Sequence, residues 1–360
     1  MDQYGKGRQM HFLIVKHGAL GDVVRTAYFA RALKERYSER ARVSWITSGS
    51  AVPLLRFNPY IDDIWTSFGE GRDYHFDTVF SLDDELEIAR EVSGLCADVV
   101  KGAFLGKNGT AEYSRDTAVW FDMGLLSRFG KEEADRRKKN NKLGHAQIFA
   151  DIFQTGLPEP ELFGNEVLEE QVQRECSESA MYVGVNPYAG GRWRAKELRS
   201  DELPRLAERL LERGVRIGVY LKIVLLGSGE NWKRNQNIAQ QFGSSITVPN
   251  TDNSLLYLAA IVKRLDYLIT SDSLAMHLAI AQKRPCLAFF CPTSAAEIDS
   301  FGVCQKLISA GSDYCSYRSD ADNASITTDR IEEAMLDHWR SGVIRVLENG
   351  ERLGIGRTNG

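Results

Sequence analysis

The run His11 to Lys16, HFLIVK, stops after six residues at HGALGD, and the segment from Asp22 to Tyr37 then repeats its apolar positions at helical spacing. Strand, glycine turn, helix is the opening unit of an α/β fold, because a short buried strand that hands over to an amphipathic helix returns to its sheet as a parallel neighbour. The unit restarts at 181–186, MYVGVN, which leads into a loop rich in Gly and Arg and a helix over 201–212. The chain has 360 residues, about 2.4 times a typical domain of roughly 150. Two doubly wound domains are expected.

Within the first domain, RVSWIT at 42–47, DIWTS at 63–67, FDTVFSL at 76–82 and DVVKGAFL at 98–105 read as further strands between helical or turn segments. GLPEPELFGN at 156–165 concentrates Pro, Gly and acids and is the linker. Beyond it come the apolar run 216–229, a helix from Glu230, a short strand near ITV and a helix over 254–263. Strand 266–271, a helix in SLAMHLAIAQ and strand PCLAFF complete the pattern. The predicted organisation is a first Rossmann-like domain over 1–165 and a second over 166–328. Residues 329–360 follow, with an amphipathic helix through DRIEEAMLDHWRSGVIRVLEN packing across both domains and a frayed tail, GERLGIGRTNG. Two such domains facing one another would put the carboxyl ends of both sheets, where open α/β folds bind ligands, on a central cleft.

Composition excludes several classes. Apolar residues are 43% and charged residues 26%, an ordinary globular balance. Lys plus Arg number 45 against 49 acids, a net charge of -4, which argues against a nucleic acid partner. The six cysteines contain no C-x-x-C and read as reduced thiols, and the spacing of Cys291, Cys304 and Cys315 is unspecific for a metal. The polar N-terminus lacks a signal-peptide core, and no apolar run reaches the ~20 residues of a membrane span. A cytoplasmic protein is expected, touching the inner membrane from its cytoplasmic face if at all. The basic segment 131–145, KEEADRRKKNNKLGH, is a solvated helix face or an arm for a phosphorylated or anionic-lipid acceptor.

Four strand-to-helix turns carry the chemistry. In the first, Gly18 and Gly21 allow a tight turn and Asp22 sits at the start of the helix, where a carboxylate either caps it or acts as general base toward a nearby hydroxyl. The second, Asn186 to Lys196, combines glycines with Arg192, Arg194 and Lys196, which suits a diphosphate. The third, Leu226 to Glu230, is not G-x-G-x-x-G, so nicotinamide chemistry loses its support; Gly227 and Glu230 could meet a ribose, and capping by Glu230 accounts for it equally well. In the fourth, Thr270 to His277, Ser273 with the N–H groups of Leu274 and Ala275 forms an anion site, Asp272 can bind sugar hydroxyls, and His277 lies one turn beyond Ser273.

With these turns in order, the chain resembles the bacterial heptosyltransferases, glycosyltransferase family 9, from Phe12 to about Gly311. The family's opening Gly-Asp turn is matched by VKHGALGD at 15–22, its phosphate-binding lysine by Lys196, its Asp-Thr-Gly-x-x-His-Leu by Asp272 to Leu278, and its Gly-Pro-Thr by Cys291-Pro292-Thr293. Leu274 and Cys291 stand where the family usually has glycine. The resemblance implies the two-domain glycosyltransferase B architecture, an ADP-heptose-type donor in the second domain and a glycan, glycolipid or protein acceptor in the first. It also implies inversion at the anomeric carbon, with Asp22 as catalytic base. Cations and a helix terminus can replace a metal at the departing diphosphate, so no metal and no cofactor are expected, and Asp320-Ala321-Asp322, in a polar loop, reads as solvated rather than as a D-x-D metal site. A nucleotide-sugar epimerase and a catalytically silent nucleotide-sugar-binding protein remain open on the residues alone.

Overall fold

The computed structural model describes residues 8–190, 193–252, 254–345 and 354–355. Two compact units are present, Met1–Phe163 with Ala296–Asp299, and Gly164–Ala295 with Ser300–Gly360.

In the first unit the strands are β1 (Met10–Val15), β2 (Ala41–Ile46), β3 (Asp63–Trp65), β4 (His75–Ser81), β5 (Cys96–Leu105) and β6 (Ala111–Tyr113). They lie in the order β3-β2-β1-β4-β5-β6. All pairs are parallel except β5 with β6. All six residues of β1 are buried, as a central strand covered on both faces requires. The helices are α1 (Leu20–Tyr37), α2 (Val52–Leu55), α3 (Leu86–Val92), α4 (Ala118–Phe121), α5 (Lys131–Asn140) and α6 (His145–Phe153). Phe153 of α6 stacks on Phe29 of α1 at 4.6 Å and on Phe80 of β4 at 4.1 Å, which closes one face of the sheet. Gly102 gives β5 its bend: its φ is 115°, and a Cβ there would lie 1.8 Å from the Ser81 carbonyl oxygen. The basic segment beginning at Lys131 is helix α5.

The second unit holds β7 (Met181–Asn186), β8 (Leu221–Leu225), β9 (Ile246–Thr247), β10 (Tyr267–Ser271), β11 (Cys286–Phe290) and β12 (Cys304–Ile308). Their order is β12-β11-β10-β7-β8-β9, parallel throughout. The helices are α7 (Glu166–Glu175), α8 (Glu202–Arg216), α9 (Glu230–Ala239), α10 (Leu255–Arg264), α11 (Leu274–Ala281) and α12 (Thr328–His338). Leu203, Leu206, Ala207 and Leu210, at helical spacing on α8, share a core with Ile331 and Met335 of α12 and with the sheet. Asn165 and Ser254 cap α7 and α10 by accepting from Leu168 and Tyr257 N–H.

The C-terminal helix is shorter than its amphipathic pattern predicts. It ends at His338; Trp339–Val343 forms a π turn broken by Gly342 at φ 86°, and Ile344–Arg345 leaves as a strand. Glycine can take that left-handed backbone where the helix cannot continue. Most of the tail expected to fray, 350–360, lies outside the described residues, but Gly354–Ile355 within it pairs antiparallel with Ile344–Arg345.

Each sheet reverses its order once, beside its first strand. β1 neighbours both β2 and β4, and β7 neighbours both β8 and β10. The carboxyl ends of β1 and β4, and of β7 and β10, are therefore topological switch points, where loops diverge and a ligand can enter.

Candidate active site

At the β7/β10 switch point the chain builds a hydrogen-bonded cluster. Asn186, the last residue of β7, donates from Nδ2 to Ser273 Oγ at 2.8 Å and to Thr270 Oγ1 at 3.2 Å. Ser273 is the N-cap of α11 without a side-chain cap bond. At the start of the helix Met276 N–H donates to the Ser273 carbonyl, and the Leu274 and Ala275 N–H groups lie in the first turn, where helix N–H groups have no intrahelical partner. Asp272 is buried, and its Oδ2 accepts from Lys196 Nζ and from Thr293 Oγ1, both at 2.7 Å. Burial pushes the Asp272 carboxyl up, but Lys196, the Thr293 hydrogen bond and His277 outweigh it, so the group sits below its ordinary 3.8 and is ionised. His277 is buried in the first turn of α11.

Lys196 closes the short 3-10 turn Arg194–Lys196. Asn323 holds that turn by donating to the carbonyls of Glu197 at 2.7 Å and Ala195 at 3.3 Å. An ammonium has three donors, and Asp272 takes one of them. Arg194 is exposed, and Arg192 lies outside the described residues.

The Leu226–Glu230 turn is locked from below. Tyr188 Oη donates to Asn235 Oδ1 at 2.8 Å, and Asn235 Nδ2 donates to the Leu226 carbonyl at 3.1 Å. A Cβ at Gly227 would come within 3.0 Å of the Tyr188 ring and of Asn235 Nδ2. Gly229 at φ 55° is the N-cap of α9, and its N–H goes to Asp252 Oδ1 at 2.5 Å. Glu230 is exposed and pairs with Lys233 at 2.8 Å, so it makes no side-chain cap.

At the β1/β4 switch point Lys16 Nζ donates to Asp83 Oδ1 at 2.5 Å, and the Asp83 carboxylate also takes the His17 N–H. Burial lowers the Lys16 pKa, yet Asp83 and Asp22 outweigh it and leave the amine above its ordinary value. Burial lowers that of His17. The glycine turn differs from expectation: α1 begins at Leu20, so Gly21 is helical, and Gly18 does not adopt a left-handed φ. Ala19 is the N-cap, its carbonyl accepting from the Asp22 and Val23 N–H groups. Asp22 is therefore a first-turn residue and not the cap. Its carboxylate is 33% exposed and pairs with Arg25 at 2.8 Å.

The other sequence candidates resolve structurally. Asp320 is engaged by Arg318 at 2.9 Å, and Asp322 Oδ1 takes the Ala324 N–H. Among the described residues, no group of three His, Cys, Asp or Glu is placed to hold a metal ion, and the six cysteines are free thiols. Asn186 and Thr293 stand in turns marked from sequence but were given no role of their own there, and Asn323 was not marked. The first two end segments that only the strand order brings beside Asp272 and Ser273; Asn323 left no signal at all.

Residues 120–324 match the model of glycosyltransferase family 9 (heptosyltransferase). The chain belongs to glycosyltransferase family 9. The matched range contains Lys196, Asp272 to Leu278 and Thr293; Asp22 precedes it. The fold of this family 9 chain is similar to the glycosyltransferase family 9 structure from Veillonella parvula, at 16% identity and TM-score 0.70 over 94% of this chain and 99% of that one. It is also similar to the E. coli ADP-heptose LPS heptosyltransferase II, at 17% and 0.64 over 92% and 99%. The E. coli heptosyltransferase WaaC with ADP aligns at 13% and 0.61 over 91% and 100%. Comparison with curated proteins returns no match.

Proposed function

We propose that this family 9 glycosyltransferase moves a heptose from an ADP-heptose-type donor to a hydroxyl of a glycan acceptor such as a lipopolysaccharide core, with inversion and without a metal. The observation that carries the reading is the β7/β10 cluster, in which Lys196 and the first turn of α11 sit around Asp272 and Ser273. Cationic ammonium and helix N–H groups are what a departing diphosphate needs. A related structure holds ADP and another an ADP-linked fluoro-heptose, which supports an adenosine diphosphate leaving group here. The first unit supplies the base: Asp22 takes the proton as the acceptor hydroxyl attacks the anomeric carbon. Six free thiols suit a reducing, cytoplasmic setting. No helix among the described residues is long and apolar enough to cross a membrane.

Thermal stabilisation by a panel of nucleotide sugars tests the donor, since a ligand at 100 times its Kd adds about 2.7 kcal/mol. The expected result is a response to ADP-heptose and not to UDP- or GDP-sugars. Asp22→Asn should keep that response while transfer falls by at least about a hundredfold. Full activity in Asp22→Asn would sink the base assignment, and binding without turnover in the native chain would make it a silent binder.

A further inference from the structure

Asp22 and Arg25 stand one turn apart on α1, and Arg25 Nη2 lies 2.8 Å from Asp22 Oδ1. An exposed pair at this spacing contributes little. Here the Arg25 side chain is only 11% exposed, and two further contacts fix it. The guanidinium lies over the Trp120 ring at 5.6 Å, and Nη1 donates to the Glu297 carbonyl at 3.4 Å. That carbonyl also accepts from the His145 N–H at 3.0 Å, which ties the support to the start of α6. Ring and carbonyl are uncharged, so across these contacts the charge that answers the buried guanidinium is Asp22.

The remaining charges nearby are matched among themselves. Lys16, at the end of β1, is close enough to Asp22 to feel its charge, but its ammonium is committed to Asp83, whose carboxylate also takes the His17 N–H. Tyr28, buried beside Arg25, also feels Asp299, whose carboxylate accepts from the Ala146 N–H at 2.7 Å.

We propose that Arg25 is the positioning residue of the candidate base: it holds the Asp22 carboxylate, in its charged form, at the β1/β4 switch point for the acceptor hydroxyl. This role rests on Asp22 being the base. In the reaction the acceptor oxygen bonds to the anomeric carbon, the diphosphate departs with the electron pair of the broken C–O bond, and the hydroxyl proton passes to Asp22. Once bonded to carbon, that oxygen is an oxonium, far more acidic than a carboxylic acid, so a weak base suffices. Position and ionisation then decide how well the base works. A guanidinium held by Trp120 and the Glu297 carbonyl secures both.

Carbon-13 NMR of the full chain labelled at its aspartate carboxyls follows Asp22 through pH without any substrate, the signal being assigned by its loss in Asp22→Asn. In Arg25→Gln the Asp22 midpoint should rise by about 1–2 pH units, and Arg25→Lys should restore most of the native value. With ADP-heptose as donor and a lipopolysaccharide core as acceptor, the acid limb of kcat/KM should move up with that midpoint. On the plateau kcat should fall about tenfold or more, while KM for the donor stays as in the native chain. Arg25→Met, which can keep the contact with Trp120, serves if Arg25→Gln does not fold. A folded variant that keeps the native midpoint or the native plateau rate overturns the role. Full transfer in Asp22→Asn overturns it by removing the base itself, whereas transfer lost in Asp22→Asn with an unmoved profile in Arg25→Gln overturns Arg25 alone.

Discussion

Replacing Lys196 by Met removes one partner of an ion pair whose side chains are only 15% and 10% exposed. The Asp272 carboxylate then keeps its bond to Thr293 but loses the charge that offsets its burial. Breaking such a pair from one side costs about 3–5 kcal/mol, because an uncompensated charge is left behind. In a unit of this size each kcal/mol moves the melting temperature by about 2–4 °C, so a fall of roughly 6–20 °C is expected. Adding Asp272→Asn removes the stranded charge, and the double variant should regain most of the loss, a coupling of at least about 2 kcal/mol. Scanning calorimetry and urea unfolding of the native chain, both single variants and the double variant at pH 7 read the cycle. If Lys196→Met costs under about 1 kcal/mol, the pair behaves like a screened surface contact and the argument from burial fails. The same holds if the two single effects simply add. Lys196→Met should also lose nucleotide-diphosphate binding, whereas a purely structural lysine would lose stability alone.

The Asp272 carboxyl is held below its ordinary 3.8, so its stabilising contribution is present above that value and is lost as pH falls through the lower folded value. The stability difference between the native chain and Asp272→Asn should therefore be flat from neutral to about pH 4 and shrink below it; a difference that vanished near pH 6 would contradict this. Gly102→Ala places a Cβ 1.8 Å from the Ser81 carbonyl oxygen at a φ of 115°. Strain and overpacking together should cost about 2–6 kcal/mol, seen as lost soluble yield or a lower urea midpoint, and an unchanged midpoint would count against a rigid β4/β5 contact.

Much of the fold was legible because it is written in local periodicity. HFLIVK, MYVGVN and DYLITS are short apolar runs ending at a turn before a helix, and each is a central strand. The helix expected through 349 was not legible as ending at His338, since amphipathic spacing continues past the point where Gly342 turns the backbone. In the site, Lys196, Asp272 and Ser273 could be marked from strand-to-helix turns and residue type. That Asp22 follows the cap rather than being it depended on where α1 begins, a matter of one backbone turn.

The sequence by itself determined the two α/β units, the turns that carry charge, and the family to which those turns correspond, because strands, helices and turn residues are chosen by near neighbours along the chain. Only the tertiary structure decided which of the marked residues meet. Strand order places β7 beside β10, so that Asn186 reaches Ser273 across 87 positions of sequence, and a turn after β11 delivers Thr293 to Asp272. The exposure of Val119, Leu125, Phe129 and Leu143 is likewise decided only when the core has selected its members, for exposure is a property of what remains uncovered after packing.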